Sequence, residues 1–493
     1  MYFVLPLLQL ATLACASQIP FMRNELSSDG TTLRLSTLSN EHFTVLEHPE
    51  FPSHSVRIKK SSSEFCDPSV ASYTGWIDTS PARHLFFYFF ESRGNPEKDD
   101  VIFWTNGGPG GSSALGLFME LGPCRMVDGN TTKVNPYSWN ENANIFFIDQ
   151  PIGVGFSYAD YGESVSTTEE AAQDIVAFMT IFFETFSKFK GRGFHLAGES
   201  YAGRYLPVYA GAIYDHNKRL EASGVEPIIN LQSVMIGNGY TDLATMIPSY
   251  YDVLCTPASV DPPFDIGACI KIKTALPRCQ KWFKESCLDI FDVISCRAAV
   301  SFCSELTGGS MAASGLNPYD ISKHCDDYED TLCYPISNYI TEYLNRPETR
   351  EILGIPRELS NLTFSSINME LNHAFNAGLD QARVQTKFYL ENLLHRGVRV
   401  LIYVGSYDGV CNWVGNNRMV DSLEWQGSAS FAPQRLRPWS LIKGQEETSP
   451  SGLIKNTGNL TFLTIEAAGH MVPYDKPAES LEMVKRWLRR EDF

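Results

Sequence analysis

The chain of 493 residues has no dense Lys/Arg run, and its 40 basic side chains are outnumbered by 57 acidic ones, for a net charge of −17. Neutralising phosphates requires a basic face, so nucleic acid and anionic membrane surfaces are excluded as partners. Beyond the first residues, no stretch reaches the ~18 uninterrupted apolar residues that a spanning helix needs. No C-x-x-C pair has a second pair to match it, which removes the spacing of a structural zinc site. Neither metal nor cofactor is expected. The glycine-rich stretch Asn106-Gly107-Gly108-Pro109-Gly110-Gly111 lacks the G-K-[ST] ending of a phosphate-cradling loop. There is no internal repeat or low-complexity segment, and 43% hydrophobic against 20% charged residues excludes wholesale disorder. The C-terminal Trp487-Leu488-Arg489-Arg490-Glu491-Asp492-Phe493 carries neither a lipid-anchor tail nor a retention tetrapeptide.

What is present points to the secretory route. Phe3 to Leu13 is mostly apolar and Ala14-Cys15-Ala16 gives a small-x-small pattern, so residues 1–16 read as a signal peptide. The expected destination is outside the cell, or a vacuolar or lysosomal lumen. Twelve cysteines become eleven without Cys15, an odd number that allows five disulfides and one free thiol. Eight of them (Cys255, Cys269, Cys279, Cys287, Cys296, Cys303, Cys325 and Cys333) fall within 79 residues, a density that marks a region stapled by disulfides. Asn-x-Ser/Thr sequons at Asn130, Asn361 and Asn459 are candidates for glycosylation.

Residues 17–60 are polar and irregular and end in Arg57-Ile58-Lys59-Lys60; they read either as a propeptide cut near the lysine pair or as a retained N-terminal arm. Strand-like runs follow at Leu85–Ser92, Val101–Thr105, Ile145–Asp149, Gly193–Ala197, Ser233–Ile236, Val398–Val404 and Leu460–Ile465. Several are continuous apolar runs, the pattern of strands buried on both faces of a mostly parallel sheet. Helical stretches alternate with them. Thr167 followed by Glu170 gives a capping-box signature for a helix running through Phe186, and Pro477 to Arg490 has helical spacing. The alternation predicts a doubly wound α/β core in two parts, 61–240 and 338–493, interrupted by a cysteine-rich insertion at 241–337 over one end of the sheet.

Three segments carry chemistry. Gly198-Glu199-Ser200-Tyr201-Ala202-Gly203 follows a strand, and its small residues suit the sharp strand-to-helix turn that exposes a nucleophilic serine, with a helix expected to follow through Ala212. A serine hydroxyl needs a base held in one tautomer by an acid. Asp408, after the strand ending at Val404, and His470, after the strand ending at Ile465, supply them in the chain order Ser, acid, His of the α/β-hydrolase fold. Both lie where strands deliver active-site residues, at carboxyl ends. The strand at Phe103–Thr105 runs into the four glycines, whose N–H groups suit half of an oxyanion hole.

The chain resembles the serine carboxypeptidases of the carboxypeptidase Y-like, fungal secreted or vacuolar type. The likeness runs from about Cys66 to Phe493. It rests on Trp104-Thr105-Asn106-Gly107-Gly108-Pro109-Gly110, Phe118-Met119-Glu120-Leu121-Gly122-Pro123, Asp149-Gln150-Pro151 with Gly153-Val154-Gly155-Phe156-Ser157-Tyr158, Gly198-Glu199-Ser200-Tyr201-Ala202-Gly203, Ile236-Gly237-Asn238-Gly239, Cys411-Asn412-Trp413 and Gly469-His470-Met471-Val472-Pro473. The resemblance implies an α/β-hydrolase fold, with a mostly parallel central sheet flanked by helices and a disulfide-rich insertion over the active site. It implies Ser200 as nucleophile, His470 as base and Asp408 as its orienting acid, with the N–H groups of Gly108 and Tyr201 holding the oxyanion. It assigns the substrate's free C-terminal carboxylate to Asn106, Gly107 and Glu199, with Glu120 as hydrogen-bonded partner and Trp104 orienting Asn106. Peptide or protein C-termini would be the substrates, and the enzyme a monomer or homodimer.

A carboxylate clamp built on carboxyl groups binds only while a proton is shared, so peptide hydrolysis is expected to favour acid pH, whereas esters and amides lacking the free carboxylate escape that preference. An internal peptide bond offers the clamp nothing to read. The chain departs from the carboxypeptidase Y pattern, which has cysteines where Gly111 and a residue near Thr363 stand. Cys66 and Cys124 occur instead, and the resemblance to the other fungal secreted branch implies a Cys66–Cys124 bridge. It leaves Cys411, three residues after Asp408, as a free thiol near the site, and leans toward retention of the N-terminal arm. Tyr201, Tyr240, Tyr334 and Met471 would line the side-chain pockets. Aromatics favour large apolar side chains, whereas an acidic residue from the insertion would admit Lys or Arg. The rival readings are an acyltransferase on the same template and a catalytically silent binding or protective protein. Intact Asn106, Glu120 and Glu199 oppose the first, and an intact triad opposes the second.

Overall fold

A computed structural model describes residues 22–23, 33–160, 162–325, 327–442 and 450–493; the expected signal peptide lies outside these residues. The apolar runs form strands of one fourteen-stranded sheet. Its principal strands are β1 (Thr44–Glu47), β2 (Ser55–Lys60), β3 (Ser72–Ser80), β4 (Arg83–Phe90), β5 (Val101–Thr105), β6 (Asn144–Asp149), β7 (Phe194–Ser200), β8 (Leu231–Gly239), β9 (Arg399–Gly405), β10 (Gly452–Thr457) and β11 (Leu460–Ile465). They lie in the order β1-β2-β3-β4-β6-β5-β7-β8-β9-β11-β10. From β6 to β11 neighbours run parallel, while the flanking pairs are antiparallel. In β7, Leu196 pairs with Phe103 on one side and Val234 on the other, which puts the strand carrying Ser200 at the middle of the parallel block.

Every residue of β5, β6 and β11 is buried, which is why these segments read as unbroken apolar runs. Helices α1 (Thr168–Thr185), α2 (Ala202–Ala222), α3 (Leu243–Cys255), α4 (Ile266–Phe283), α5 (Val293–Ser314), α6 (Lys387–His395) and α7 (Pro477–Arg489) complete the main framework. One core holds Ile175, Phe178, Leu206, Leu390, Phe103 and Leu196. A second holds Met483, Trp487, Trp104, Ala197 and Met235. Successive residues of β5 and β7 thus alternate between the two cores, as the pleat requires. Each fully buried large apolar side chain contributes on the order of 1.5–3 kcal/mol.

Three expectations are corrected. The stretch 17–60 is not irregular throughout, since β1 and β2 join the sheet and Val56 and Ile58 are fully buried. The alternation Val56-Arg57-Ile58-Lys59 is the period of a strand with one apolar face, and it sits in otherwise polar surroundings. Helix α1 ends one residue before the expected Phe186, and Thr167 contributes no side-chain cap. The Asp380 carboxylate caps it instead, accepting from Thr168 N at 2.9 Å and Thr168 Oγ1 at 2.7 Å, a contact spanning 212 residues that no local pattern encodes. Helix α2 continues to Ala222, ten residues beyond the expected Ala212.

Between β8 and β9 the chain leaves the sheet for longer than 241–337, returning only at Arg399. Helices α3, α4 and α5, with the short helical segment Lys284–Asp289 between the last two, carry the disulfides Cys255–Cys269, Cys279–Cys303 and Cys287–Cys296, and Cys325–Cys333 follows. The Cys66–Cys124 bridge forms as expected, with 5.2 Å between Cα atoms, and Cys411 is free and buried. Of the sequons, Asn130 and Asn361 are exposed and Asn459 is half-buried.

Candidate active site

Strand β7 ends at Ser200 and α2 begins at Ala202, so the turn between them has no intervening loop. Ser200 adopts φ +62°, the left-handed region that costs a non-glycine residue on the order of 1–3 kcal/mol. The strain is held by neighbours: Tyr240 N donates to Ser200 O at 2.8 Å. Beyond β5, the glycine-rich loop packs directly against this turn. A Cβ on Gly107 would lie 2.3 Å from Tyr201 N, so only glycine lets the loop backbone reach the elbow. Gly108 follows with φ +110° and a cis bond to Pro109.

Asp408 and His470 come from the loops after β9 and β11, adjacent parallel strands whose carboxyl ends lie on the same side of the sheet as that of β7. His470 Nδ1 is 2.7 Å from Asp408 Oδ2, and both side chains are buried. Asp408 also accepts from Asn238 Nδ2 at 2.7 Å and from Val410 N at 2.9 Å. Three partners meet this carboxylate, and with Nδ1–H directed at Asp408 the imidazole leaves Nε2 as its acceptor. Asn238, at the end of β8 with φ +44°, is itself fixed by Gly405 N donating to its Oδ1 at 3.2 Å. The motif Ile236-Gly237-Asn238-Gly239 was visible in the sequence, but nothing local announces this role.

Next to the elbow lies a buried carboxyl pair. Asn106 Nδ2 donates to Glu120 Oε1 at 3.2 Å and to Glu199 Oε1 at 3.0 Å. Its own Oδ1 accepts from Trp104 Nε1 at 2.8 Å and Gly116 N at 2.9 Å, which fixes the amide orientation. Burial raises the pKa of Glu120 and drives that of Glu199 well above the ordinary range. After burial, the charge of Glu120 and the hydrogen bond to it are the next causes acting on Glu199. Two carboxyls in contact without a cation between them hold a proton in common. Arg125 donates to the Glu120 carbonyl at 2.8 Å and not to its carboxylate.

Cys411 is likewise brought to the centre. Burial first, then the charges of Asp408 and Glu199, raise its thiol pKa well above the ordinary value, and a hydrogen bond with Ser200 opposes this only in part. Asp408, Cys411 and His470 hold ligand atoms within 4.8 Å of one another, the geometry of a metal trio. Two of those atoms already share the Asp408–His470 hydrogen bond, and a suppressed thiolate is a poor ligand. The pocket candidates Tyr240, Tyr334 and Met471 all lie nearby. Tyr240 is tied to the elbow through its N–H, Tyr334 is buried within the fields of Asp408 and Glu199, and Met471 is buried directly after His470. Sequence reasoning missed Tyr319, an insertion residue whose ring lies 5.2 Å from that of His470. It also missed Asp380, fully buried, which accepts from Tyr201 Oη at 2.8 Å. A groove of about 1130 Å³ lies elsewhere, lined in part by Phe43, Lys59 and Arg350.

A serine on a strained elbow, an imidazole oriented by a carboxylate and a buried carboxyl pair with raised pKa values can together perform acyl transfer on a substrate bearing an anionic end. The chain is similar to known proteins of that chemistry. The serine carboxypeptidase family profile matches residues 63–490. Carboxypeptidase Y homolog A of Paracoccidioides brasiliensis (strain Pb18) is 40% identical over 440 residues, covering 89% of this chain and 76% of that protein. The homolog A of Coccidioides posadasii (strain C735) is 41% identical over 424 residues, covering 86% and 75%. Among solved structures, Kex1(Δ)p, a prohormone-processing carboxypeptidase from Saccharomyces cerevisiae, superposes with a TM-score of 0.71 at 26% identity, covering 87% of this chain and 95% of that one. The fold is that of an α/β-hydrolase, and the chain belongs to the serine carboxypeptidase family, enzymes that hydrolyse peptides at their C-termini.

Proposed function

We propose that the enzyme removes C-terminal residues at acid pH through a Ser200 acyl-enzyme, with Asp408 and His470 completing the triad. Ser200 Oγ attacks the carbonyl of the last peptide bond while His470 Nε2 takes its proton. The N–H groups of Gly108 and Tyr201 hold the oxyanion of the tetrahedral intermediate. His470 returns the proton to the departing amine, and water then releases the shortened peptide by the same steps in reverse. The substrate carboxylate is held by Asn106, the Gly107 N–H and the protonated Glu199. The observation that carries this reading is the buried Glu120–Glu199 pair joined through Asn106, one residue from the nucleophile. As pH rises past their elevated pKa values, the pair loses its proton and repels the anionic end it must bind.

The test is release of the C-terminal amino acid from an N-blocked dipeptide at pH 5 and pH 8, beside the C-terminally amidated dipeptide, with wild type and Ser200→Ala. Release from the free acid at pH 5, weak on the amide and absent in the mutant, is expected. Equal release from acid and amide at both pH values would remove the clamp from the account. The enzyme follows the secretory route to the cell exterior or to a vacuolar or lysosomal lumen, in keeping with its leader and disulfides. It retains residues 44–60, because β2 lies within the sheet and Lys59 is only 5% exposed, out of a processing protease's reach. N-terminal sequencing of the mature enzyme checks this, and a start at or after residue 61 would refute it.

A further inference from the structure

Asp408 and His470 belong to loops of two different strands, yet one short hairpin of the insertion grips both. The hairpin pairs Leu316–Asn317 with Asp320–His324. Pro318 O accepts from Gly409 N and from Val410 N, each at 3.1 Å, on the two residues after Asp408. Tyr319 O accepts from His470 N at 2.7 Å, and Ile321 N donates to Tyr407 O at 2.9 Å. On the far side, Asp475 Oδ2 accepts from Gly469 N at 2.8 Å, and Lys323 bridges Asp475 to Asp320.

The glycines beside the two catalytic side chains record this grip. A Cβ on Gly409 would lie 2.7 Å from Ile321 Cγ2 and 2.9 Å from Pro318 O. A Cβ on Gly469 would lie 2.5 Å from Tyr319 O. Neither glycine has a positive φ, so both are required by the approach of the hairpin backbone rather than by a turn. The two carbonyls that do the holding sit in a tight bend, and the bend is fixed by one side chain. Asn317, 3% exposed, accepts from Tyr319 N through Oδ1 at 2.9 Å, closing an Asx turn around Pro318.

We propose that Asn317 is a positioning residue of the catalytic centre: it shapes the Pro318–Tyr319 bend, whose carbonyls set the Asp408 and His470 loops in register with each other. The insertion therefore braces the acid–base pair in addition to covering the site. This rests on the triad reading given above. Loss of the Asx turn leaves the carboxylate clamp untouched, so the defect belongs to kcat and is shared by substrates with and without a free carboxylate.

The experiment uses the full chain with Asn317→Leu, which removes the acceptor at similar volume, and Asn317→Asp, which retains it. It reads kcat and KM on the N-blocked dipeptide and on its ester, together with the rate at which diisopropyl fluorophosphate labels Ser200. Asn317→Leu is expected to lower kcat on both substrates by about ten- to a hundredfold with KM within about threefold, and to slow labelling by the same factor. Asn317→Asp is expected to stay within about threefold of wild type. A folded Asn317→Leu with unchanged kcat, a change in KM alone, or an Asp variant as defective as Leu would overturn the proposal. Should Asn317→Leu not fold, Gly409→Ala presses on the same Pro318 carbonyl from the opposite side and carries the same expectation and the same refutation. A wild-type protein that the reagent leaves unlabelled removes the triad reading and this inference with it, whereas a labelled wild type beside an equally labelled variant removes the inference alone.

Discussion

Replacing Glu199 by Gln isolates the proton that the clamp depends on. In the wild type, Asn106 Nδ2 donates to Glu199 Oε1, and the remaining oxygen of that carboxyl must carry a hydrogen if it is to meet a substrate carboxylate. Glutamine reproduces the protonated state at every pH, with Oε1 accepting from Asn106 and Nε2 donating to the substrate. When Glu199 ionises, two like charges about 4 Å apart at an effective dielectric of 20 repel by about 4 kcal/mol, an upper bound near a thousandfold in binding. Wild-type kcat/KM on a free-acid dipeptide should therefore fall steeply once pH passes the elevated pKa of the pair, by up to about a thousandfold. The Gln variant should lie within about tenfold of wild type at pH 5, show no such fall, and exceed wild type at pH 8. On an ester without the carboxylate the two enzymes should have parallel profiles. The assay is a kcat/KM series from pH 4 to 9 on both substrates. If the variant loses activity equally on acid and ester, or keeps the wild-type fall with pH, Glu199 does not read the substrate carboxylate.

Other expectations follow from particular contacts. Denatured protein lacking the signal peptide should titrate one thiol, mapping to Cys411, while the buried, poorly ionised thiol of the native enzyme should react slowly with a neutral alkylating reagent; peptide mapping that finds no thiol, or finds it within 255–333, refutes the pairing. Removing the Cys66–Cys124 bridge, which closes a separation of 58 residues, should lower stability by about 4 kcal/mol in the loop-entropy account, read as a drop in denaturation midpoint of Cys66→Ala/Cys124→Ala; a change below about 1 kcal/mol would count against it. Asp149, fully buried beneath the glycine-rich loop with Ser112 Oγ, Ser113 N and Phe156 N as donors, has its pKa pushed up to about 7 by burial. The native state then keeps a proton that the unfolded chain releases from about pH 4 upward, so stability falls as pH rises to about 7, by up to about 4 kcal/mol. Asp149→Asn should remove that slope, and a Tm difference from wild type that stays constant from pH 4 to 7 would refute the shift.

Where the sequence was legible, one residue type at one spacing had a single physical use. Val101–Thr105 and Leu460–Ile465 were readable to the residue because strands covered on both faces must be apolar throughout. Ser200 was readable because the elbow needs small residues two before and two and three after the nucleophile, the places of Gly198, Ala202 and Gly203. The N-terminal strands were missed because a strand with one buried face alternates, and the alternation over 55–60 is short and lies in polar surroundings. The cap on α1 was misassigned because a local Thr–Glu pattern competes with a carboxylate brought in from Asp380, and the distant partner satisfies the helix donors more directly.

The same division holds at the catalytic centre. The sequence itself offered Ser200, Asp408 and His470 in the chain order of an α/β-hydrolase triad and an odd number of cysteines, and its resemblance to the serine carboxypeptidases singled out Asn106, Glu120 and Glu199. Tertiary structure alone decided what holds them. Asn238 reaches Asp408 across 170 residues, and Asn106 joins two glutamates 79 residues apart in the chain. Gly409 and Gly469, which read locally as an Asp-Gly turn and as the neighbour of a histidine, are glycines because a hairpin from the insertion occupies the space their side chains would need. Composition and spacing record what a residue can do. Burial, the sharing of a proton and close backbone approach depend on which distant segments the sheet brings together, and the fold alone sets those.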